Sequence, residues 1–396
     1  MTTPPARSHP LDGLLIADFS RVLAGPYATM LLGDLGAEVI KVESPTGDDT
    51  RNWMPPDRDG VATYYLGINR NKRSVSLDLT DDTELALAQE LAGRADVLIE
   101  NFKPGGLQRF GLDYDTVRAH NPGLIYASIS GFGTAEGAEL PGYDLLVQAA
   151  AGLMSLTGSP EGEPYRAGIS VFDVMTGMHT AIGVLAALNQ RHSTGEGQHL
   201  ELNLMSSALS GLVNHTSAYV AGGVVPERMG NAHPSLFPYE PLPTAEGELI
   251  IIAGNDGQFR RLCAELDLAH LPEEERFATT AERNRNREQL RPLLVEQLRR
   301  RSAEDWFARL SAAGVPCGPI NHVADGVALA HQLGLNPVVE IPRGEERVPS
   351  IRNPISFSNA SPRYDLPPPE LDEHGEAVRA WLRTPRTTTQ EDTHGE

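Results

Sequence analysis

The chain is poor in cysteine, in aromatic residues and in positive charge. Two cysteines, Cys263 and Cys317, stand far apart among 396 residues. Neither belongs to a C-x-x-C pair or a Cys/His cluster, so neither a disulfide framework nor a zinc site is indicated. That usage fits a reducing compartment. Aromatic residues make up 6% and the net charge is −20, the opposite of the footprint of a general nucleic-acid binder. No uninterrupted apolar run reaches the about 18 residues of a bilayer span, so no membrane association is expected. The N-terminus lacks the apolar stretch of a signal peptide, and the expected location is the cytoplasm. Familiar fingerprints are missing as well. There is no G-x-G-x-x-G for a nicotinamide cofactor, no G-x-x-x-x-G-K-[ST] phosphate loop and no G-x-S-x-G nucleophile elbow.

What is present is patterned. Gly (38) and Pro (30) are plentiful, which suits an α/β chain with many turns better than a β-sandwich. The length points to two domains. Residues 14–17 form a short apolar run ending at Asp18, and 38–43 form a second. Between them Pro26 opens a helix and Gly36 closes it. Strand, helix, strand is a βαβ unit and implies a parallel sheet. The pattern repeats with strands at 74–79, 97–100, 124–129 and 168–172, and with helices at 82–93, 113–120, 143–152 and 174–189. The predicted fold is α/β, a Rossmann-like doubly wound parallel sheet. From about 225, Pro-rich turns lead to a strand at 249–252 and charged helices over 258–310. The reading is a disordered leader at 1–10, a large domain over 11–224, a smaller α+β domain over 225–320 and a disordered polar tail at 383–396. Residues 314–319 (GVPCGP) read as the return linker.

Doubly wound sheets bind ligands beyond the carboxyl ends of their strands. Loops 18–26, 70–73, 100–109 and 130–143 lie at such ends, and Asp173 stands between a strand end and a helix start. Asp is a favoured helix N-cap, which is a purely structural role. Flanked by Phe172 and Met175, it also suits a nucleophile toward an activated acyl group. Arg21, the group Arg70, Lys72 and Arg73, and Lys103 with Arg109 are local basic clusters. Each alone reads as solvated surface charge; together they fit the phosphates of a nucleotide-like cofactor. Of the histidines, His179 reads as core or interface, and His233, in a Gly/Pro loop, is the better functional candidate.

Several stretches then match in order: 11–43 (LDGLLIADFSRVLAGPYATMLLGDLGAEVIKVE), 69–79 (NRNKRSVSLDL), 95–111 (ADVLIENFKPGGLQRFG) and 142–188, which includes FDVMTGMHTAIGVLAAL. With GNAHP at 230–234 and GVPCGPIN at 314–321, the chain resembles the class III CoA-transferases, the family of formyl-CoA transferase, carnitine CoA-transferase and α-methylacyl-CoA racemase. The resemblance implies an interlocked homodimer, two chains threaded as rings. It also implies a large domain built from both chain ends, with 321–382 as the segment that completes it. Asp173 becomes the catalytic nucleophile, forming an aspartyl-CoA thioester. CoA contacts carry over to Val22, Leu23, Ala24, Asn71, Lys72, Arg73, Asn101, Phe102 and Arg109, and Tyr143 falls near the thioester. Gly230, Asn231 and His233 match a mobile loop that shields intermediates. Some relatives carry Gln at the place of Leu23 and Arg at that of Ser44.

The racemases of the family place His before the Asp of the motif that reads Gly142-Tyr143-Asp144 here. A phenol, with its ordinary pKa of about 10, is a poorer proton shuttle at neutral pH. CoA transfer is therefore the implied activity, with a 2-methylacyl-CoA racemase and a non-catalytic CoA-binding homologue as alternatives. Within the family the chain looks closest to members acting on dicarboxylates, which implies succinyl-CoA as donor and glutarate as acceptor. Arg166 and Arg228 are candidates for the cationic group such an acid needs. CoA enters as co-substrate; no metal and no tightly bound cofactor are implied. Backbone N–H groups near Val174 are expected to stabilise the developing oxyanion.

Overall fold

The computed structural model describes residues 9–385. They divide into two compact units. One comprises the chain up to Ala151, Ala167–Val220 and everything from Asn336; the other comprises Gly152–Arg166 and Ala221–Leu335.

The first unit is built on six parallel strands: β1 (Leu15–Asp18), β2 (Glu38–Glu43), β3 (Lys72–Ser76), β4 (Val97–Glu100), β5 (Ile125–Ser130) and β6 (Gln198–Asn203). Their order across the sheet is β3-β2-β1-β4-β5-β6. β1, β2, β4 and β5 are almost wholly buried, which is why they read as apolar runs. The order reverses between β1 and β4, and this switch opens a crevice at their carboxyl ends. Helix α1 (Ala24–Asp34) joins β1 to β2, and α2 (Asp82–Arg94) joins β3 to β4. Asp81 caps α2 by accepting the Thr83 and Glu84 amide hydrogens. Three further helices, α3 (Asp144–Ala150), α4 (Val171–Thr194) and α5 (Leu204–Gly211), complete this half. α4 meets α1 at Gly177, where a Cβ would lie 2.6 Å from the Ala24 carbonyl oxygen.

Several expectations are corrected. No strand forms at 168–172: Phe172 and Asp173 belong to the first turn of α4. The sixth strand is Gln198–Asn203 instead, a half-exposed edge whose alternating His199 and Glu201 hid it from a search for apolar runs. β3 starts at Lys72 rather than Ser74, and Pro26 is the third residue of α1, still within the turn whose amides need no helical partner. α4 is long and apolar enough, by length and composition, to cross a membrane. Thr176, Gly177, His179 and Thr180 punctuate it, so it contains no long uninterrupted apolar run. Here Val184, Ala187 and Leu188 are buried, and the helix packs on α1, β5 and β6.

The returning chain completes this unit. Arg363 N–H donates to the Asp34 carbonyl, Asn71 N–H to that of Leu366, and His374 N–H to that of Ser74. Buried Asp34 is the junction. It accepts Arg70 Nε and Nη2 at 2.9 and 2.6 Å, Asn71 Nδ2 at 2.8 Å and Asn353 Nδ2 at 3.0 Å. At the chain start, His9 N–H already binds the Asp12 carboxylate at 2.9 Å; the rest of the expected leader, 1–8, lies outside the described residues. At the other end, Arg383 and Thr384 extend the turn after helix Gly375–Leu382. The remaining tail from 386 lies outside them too.

The second unit holds a three-stranded antiparallel sheet, Cys317–Gly318, Glu248–Ile252 and Tyr239–Pro243. Its helices bury Phe259, Leu262, Leu290, Leu294 and Trp306. Residues 314–319 therefore supply its third strand rather than a linker, and the unit runs on to Leu335. It also takes in Gly152–Arg166, which joins it through bonds such as Gly230 N–H to the Gly158 carbonyl.

Candidate active site

Asp173 is third in α4 and is not its cap. Ser170 holds the cap position without a side-chain bond. Capping falls to Asp144, whose Oδ2 accepts the amide hydrogens of Phe172 at 2.8 Å and of Asp173 at 3.2 Å. The Val171 and Val174 amides donate to the carbonyls of Ile169 and Ser170. All four amides of the first turn are engaged, so the Val174 N–H expected at an oxyanion is taken up inside the helix.

Asp144 is itself buried and fixed by Gln148. The Gln148 amide nitrogen donates to Asp144 and to the Ile169 carbonyl, and its oxygen accepts the Ala167 amide hydrogen at 2.8 Å. Two glycines bring this segment into place. A Cβ on Gly131 would lie 2.3 Å from the Gly142 Cα. The loop between them therefore leaves and re-enters at one point, delivering Tyr143 and Asp144 beside α4.

No described residue donates a hydrogen bond to the Asp173 carboxylate. Burial pushes its pKa up to about 7, and the neighbouring Asp144 charge adds to the rise. Such a carboxylate titrates near neutrality and keeps its lone pairs for an electrophile.

Asp173 lines a cavity of about 470 Å³ with Arg21, Val22, Ala24, Trp53, Asn101, Phe102, Lys103 and Tyr143. The cavity stands at the switch point between β1 and β4. Asn101 locks the loop after β1, its Oδ1 accepting the Arg21 N–H at 2.9 Å and its Nδ2 donating to the Arg21 carbonyl at 2.7 Å. The Arg21 guanidinium lies 5.6 Å over the Phe102 ring and has no carboxylate partner among the described residues. Lys103 pairs with Glu139 at 2.5 Å, both exposed. In this acidic chain, the unpaired Arg21 at the cavity is local anion-binding capacity, while Glu139 offsets the charge of Lys103.

Of the residues expected here, Val22, Ala24, Asn101, Phe102, Tyr143 and Asp173 line the cavity. Leu23 lies between lining neighbours with its side chain buried. Asn71 and Lys72 do not line it, because both are buried with their polar atoms engaged. Asn71 binds Asp34 and the returning chain. Lys72 Nζ binds Asp18 at 3.1 Å, the Pro26 carbonyl at 2.9 Å and Asn69 at 3.0 Å. Lys72 holds α1 to β1 instead, and Asn71 ties the end of α1 to the returning chain. Arg73 pairs with Glu38 on the surface at 2.7 Å. Arg109 is exposed, stacks on Phe110 at 4.5 Å and lies off the cavity wall.

Gly230, Asn231 and His233 belong to the second unit. Gly230 takes a φ of +62°, and His233 Nδ1 accepts the Ser235 N–H at 3.0 Å. In that unit the Arg228 guanidinium binds the carbonyls of Ser155, Ser159 and Gly162, and Arg166 is exposed. His179, on α4, lies 3.0 Å from the Ser207 hydroxyl.

Two aromatic residues were missed. Trp53 lines the cavity and meets Tyr64 edge to face at 5.1 Å. Burial, then the Asp173 charge, push the Tyr64 phenol up to about 12. Trp53 is one of three tryptophans in an aromatic-poor chain, a signal that was open to reading. Tyr64 sits in the single helical turn Thr63–Leu66 and offers none.

Known proteins share this architecture. The model of CoA-transferase family III matches residues 11–375. The chain is 42% identical over 400 residues to the succinate–glutarate CoA-transferase of Agrobacterium fabrum, covering 98% of this chain and 100% of that one. It is 38% identical to the succinyl-CoA:glutarate CoA-transferase of Homo sapiens, over 92% of this chain and 84% of the other. Among solved structures, a CaiB/BaiF family protein from Brucella suis matches with a TM-score of 0.84 at 45% identity, covering 95% of this chain and 100% of that one.

Proposed function

The chain belongs to CoA-transferase family III and is a CoA-transferase; from that premise we propose that it carries CoA from succinyl-CoA to a second dicarboxylate such as glutarate, through a thioester on Asp173. The observation that carries the reading is the Asp173 carboxylate. It lies in the cavity without hydrogen-bond donors, and its pKa is raised to about 7.

The steps conserve the thioester. Asp173 attacks the acyl carbonyl of the donor and expels CoA thiolate, giving a mixed anhydride. The thiolate attacks the aspartyl carbonyl and releases succinate, leaving aspartyl-CoA. The acceptor carboxylate attacks that thioester, and the returning thiolate takes the acceptor's acyl group from Asp173. Each difficult exchange is thus divided into easier ones. Asp144 orients the turn that carries Asp173, while Arg21 and Lys103 draw the anionic cofactor to the cavity mouth. Asn101 and Phe102 wall the cavity, and Tyr143 stands at its edge. Gly230, Asn231 and His233 serve as the loop that shields intermediates from water. The names of the two relatives support the choice of acids.

A racemase would need a second proton shuttle beside Asp173. The residue before Asp144 is Tyr143, a phenol 66% exposed, which disfavours that chemistry.

The same reading has the enzyme act in the cytoplasm as an interlocked homodimer, with CoA entering as acyl-CoA co-substrate and no tightly bound cofactor. Met178, Ile182 and Leu185 on α4 and Leu145 and Leu146 on α3 are exposed, an apolar surface suited to a second copy.

The test is intact-protein mass spectrometry after incubation with succinyl-CoA. Wild type should gain a CoA-sized adduct that glutarate discharges, and Asp173→Ala should gain none. No adduct from any of a panel of acyl-CoA donors would rule the aspartyl route out.

A further inference from the structure

Val22 holds a backbone conformation that its side chain resists. Its φ is +68°, in the left-handed region where a β-branched residue is an outlier. It lines the cavity that contains Asp173. What holds it there is Asp48, whose two carboxylate oxygens lie 3.4 and 3.2 Å from the Val22 amide nitrogen. Asp48 is 3% exposed. It accepts Lys41 Nζ at 2.9 Å and the Thr50 amide and hydroxyl at 3.0 and 2.8 Å. Lys41 Nζ also donates to the Ser20 carbonyl at 3.1 Å, so the buried pair grips the loop at two points. Burial alone would raise the Asp48 pKa, but Lys41 and these bonds outweigh it and keep the carboxyl below its ordinary value. It is charged at neutral pH.

The left-handed turn leads straight into α1, whose start is unusual. Leu23 caps it without a side-chain bond, no acidic residue stands in its first turn, and Pro26 has no N–H. The amide hydrogens of Leu23, Ala24 and Gly25 find no partner among the described residues, although all three residues are buried. The corresponding amides of α4 are all engaged. Ala24 lines the cavity, and Gly177 brings α4 against it.

We propose that Asp48 is a positioning residue for CoA transfer: by holding Val22 left-handed, it aims the unpaired amides of the first turn of α1 at the acyl carbonyl, where they stabilise the oxyanion. This rests on the aspartyl-CoA reading. The left-handed turn is the element that Asp48 maintains, and the amides are what the reaction uses. Glycine adopts such a φ without penalty, so Val22→Gly removes the need for the clamp.

The experiment is a double-mutant cycle on the full chain with Asp48→Asn, Val22→Gly and the pair, read as kcat and KM for acyl-CoA and for acceptor acid. Asp48→Asn is expected to lower kcat/KM for acyl-CoA at least 10-fold and to leave the acceptor KM unchanged. In the Val22→Gly background the same change should cost less than 3-fold. Equal losses in both backgrounds, or a loss shared by the acceptor KM, would overturn the proposal. Should Asp48→Asn fail to fold, Thr50→Val takes its place, since it removes one bond to Asp48 and leaves the ion pair. The same rescue by Val22→Gly is then expected, and additivity again counts against the role. A wild type that forms no adduct would overturn the aspartyl-CoA reading and this proposal with it; an active wild type with an additive cycle would overturn this proposal alone.

Discussion

Asp144 steadies Asp173 through the backbone and opposes it through charge. One Asp144 oxygen accepts the Asp173 amide hydrogen at 3.2 Å, while its negative charge helps to raise the Asp173 carboxyl to about 7. The residue that orders the nucleophile also sets how readily it ionises, and the two effects can be separated.

Attack requires the ionised form of Asp173, whose pKa is about 7. Adduct formation from acyl-CoA should therefore rise with pH and level off above about 7, with the slope of one proton. Asp144→Asn keeps an oxygen for the capping amides and removes the like charge, so the acid limb should move to lower pH. Burial, the larger cause, remains, so the limb stays above the ordinary carboxylate value. Quenched mass spectrometry between pH 5 and pH 8 checks this; an unmoved limb would remove Asp144 from the electrostatics.

Asp173 should also be a burden on stability above neutral pH. Its folded pKa lies above the ordinary aspartate value of 3.8, so the folded state holds the proton more tightly than the unfolded chain does. Stability contributed by that proton is present below about 4 and is lost as pH climbs to about 7. Asp173→Asn should abolish turnover by more than about 1,000-fold. It should also raise the melting temperature relative to wild type more at pH 8 than at pH 4.5, which scanning calorimetry at the two pH values will read.

Gly177→Ala places a methyl 2.6 Å from the Ala24 carbonyl oxygen. Overpacking of this kind costs about 1–3 kcal/mol, visible in urea unfolding. Because it pushes α4 away from α1, kcat should fall more than the loss of stability alone explains.

Asp34→Ala leaves Arg70 buried without its carboxylate partner. The expected loss is about 3–5 kcal/mol. The returning chain should loosen with it, since Asn353 also binds the Asp34 carboxylate. Limited proteolysis should then cut first between residues 352 and 372.

Arg21→Ala removes a cation without a carboxylate partner from the cavity mouth. The KM for acyl-CoA should rise about 10-fold, the size of one charge-assisted hydrogen bond, and should become less sensitive to salt. An unchanged KM would place the CoA phosphates elsewhere.

Much of this was legible because local physics decides it. β1, β2, β4 and β5 are buried strands and announce themselves as apolar runs. Val22, Asn101, Phe102, Tyr143 and Asp173 came from motifs, and all reach one cavity. Where partners are distant in sequence, the reading failed. The start of α4 was misplaced because its cap, Asp144, precedes the capped Phe172 by 28 residues. Lys72 reads as part of a basic cluster and Asn71 as a contact that the resemblance implies, yet in the fold both have their polar atoms engaged. Asn71 binds the Arg363 carbonyl, 292 residues away, and no window along the chain reveals that. β6 was lost for another reason: an edge strand open to solvent carries polar residues at every second place.

The bond between Asn71 and the returning chain also sets a clock. A ribosome adding about 5–20 residues per second needs roughly 15 to 60 s to reach the partner of Asn71. Ala221–Leu335 is one unbroken stretch and can gather its core during that interval. The sheet on which α4 packs cannot close its β3 edge until residues beyond Asn336 emerge. A nascent chain therefore meets cellular acyl-CoA with its nucleophile on an unfinished scaffold, and a product truncated at residue 335 stays in that state.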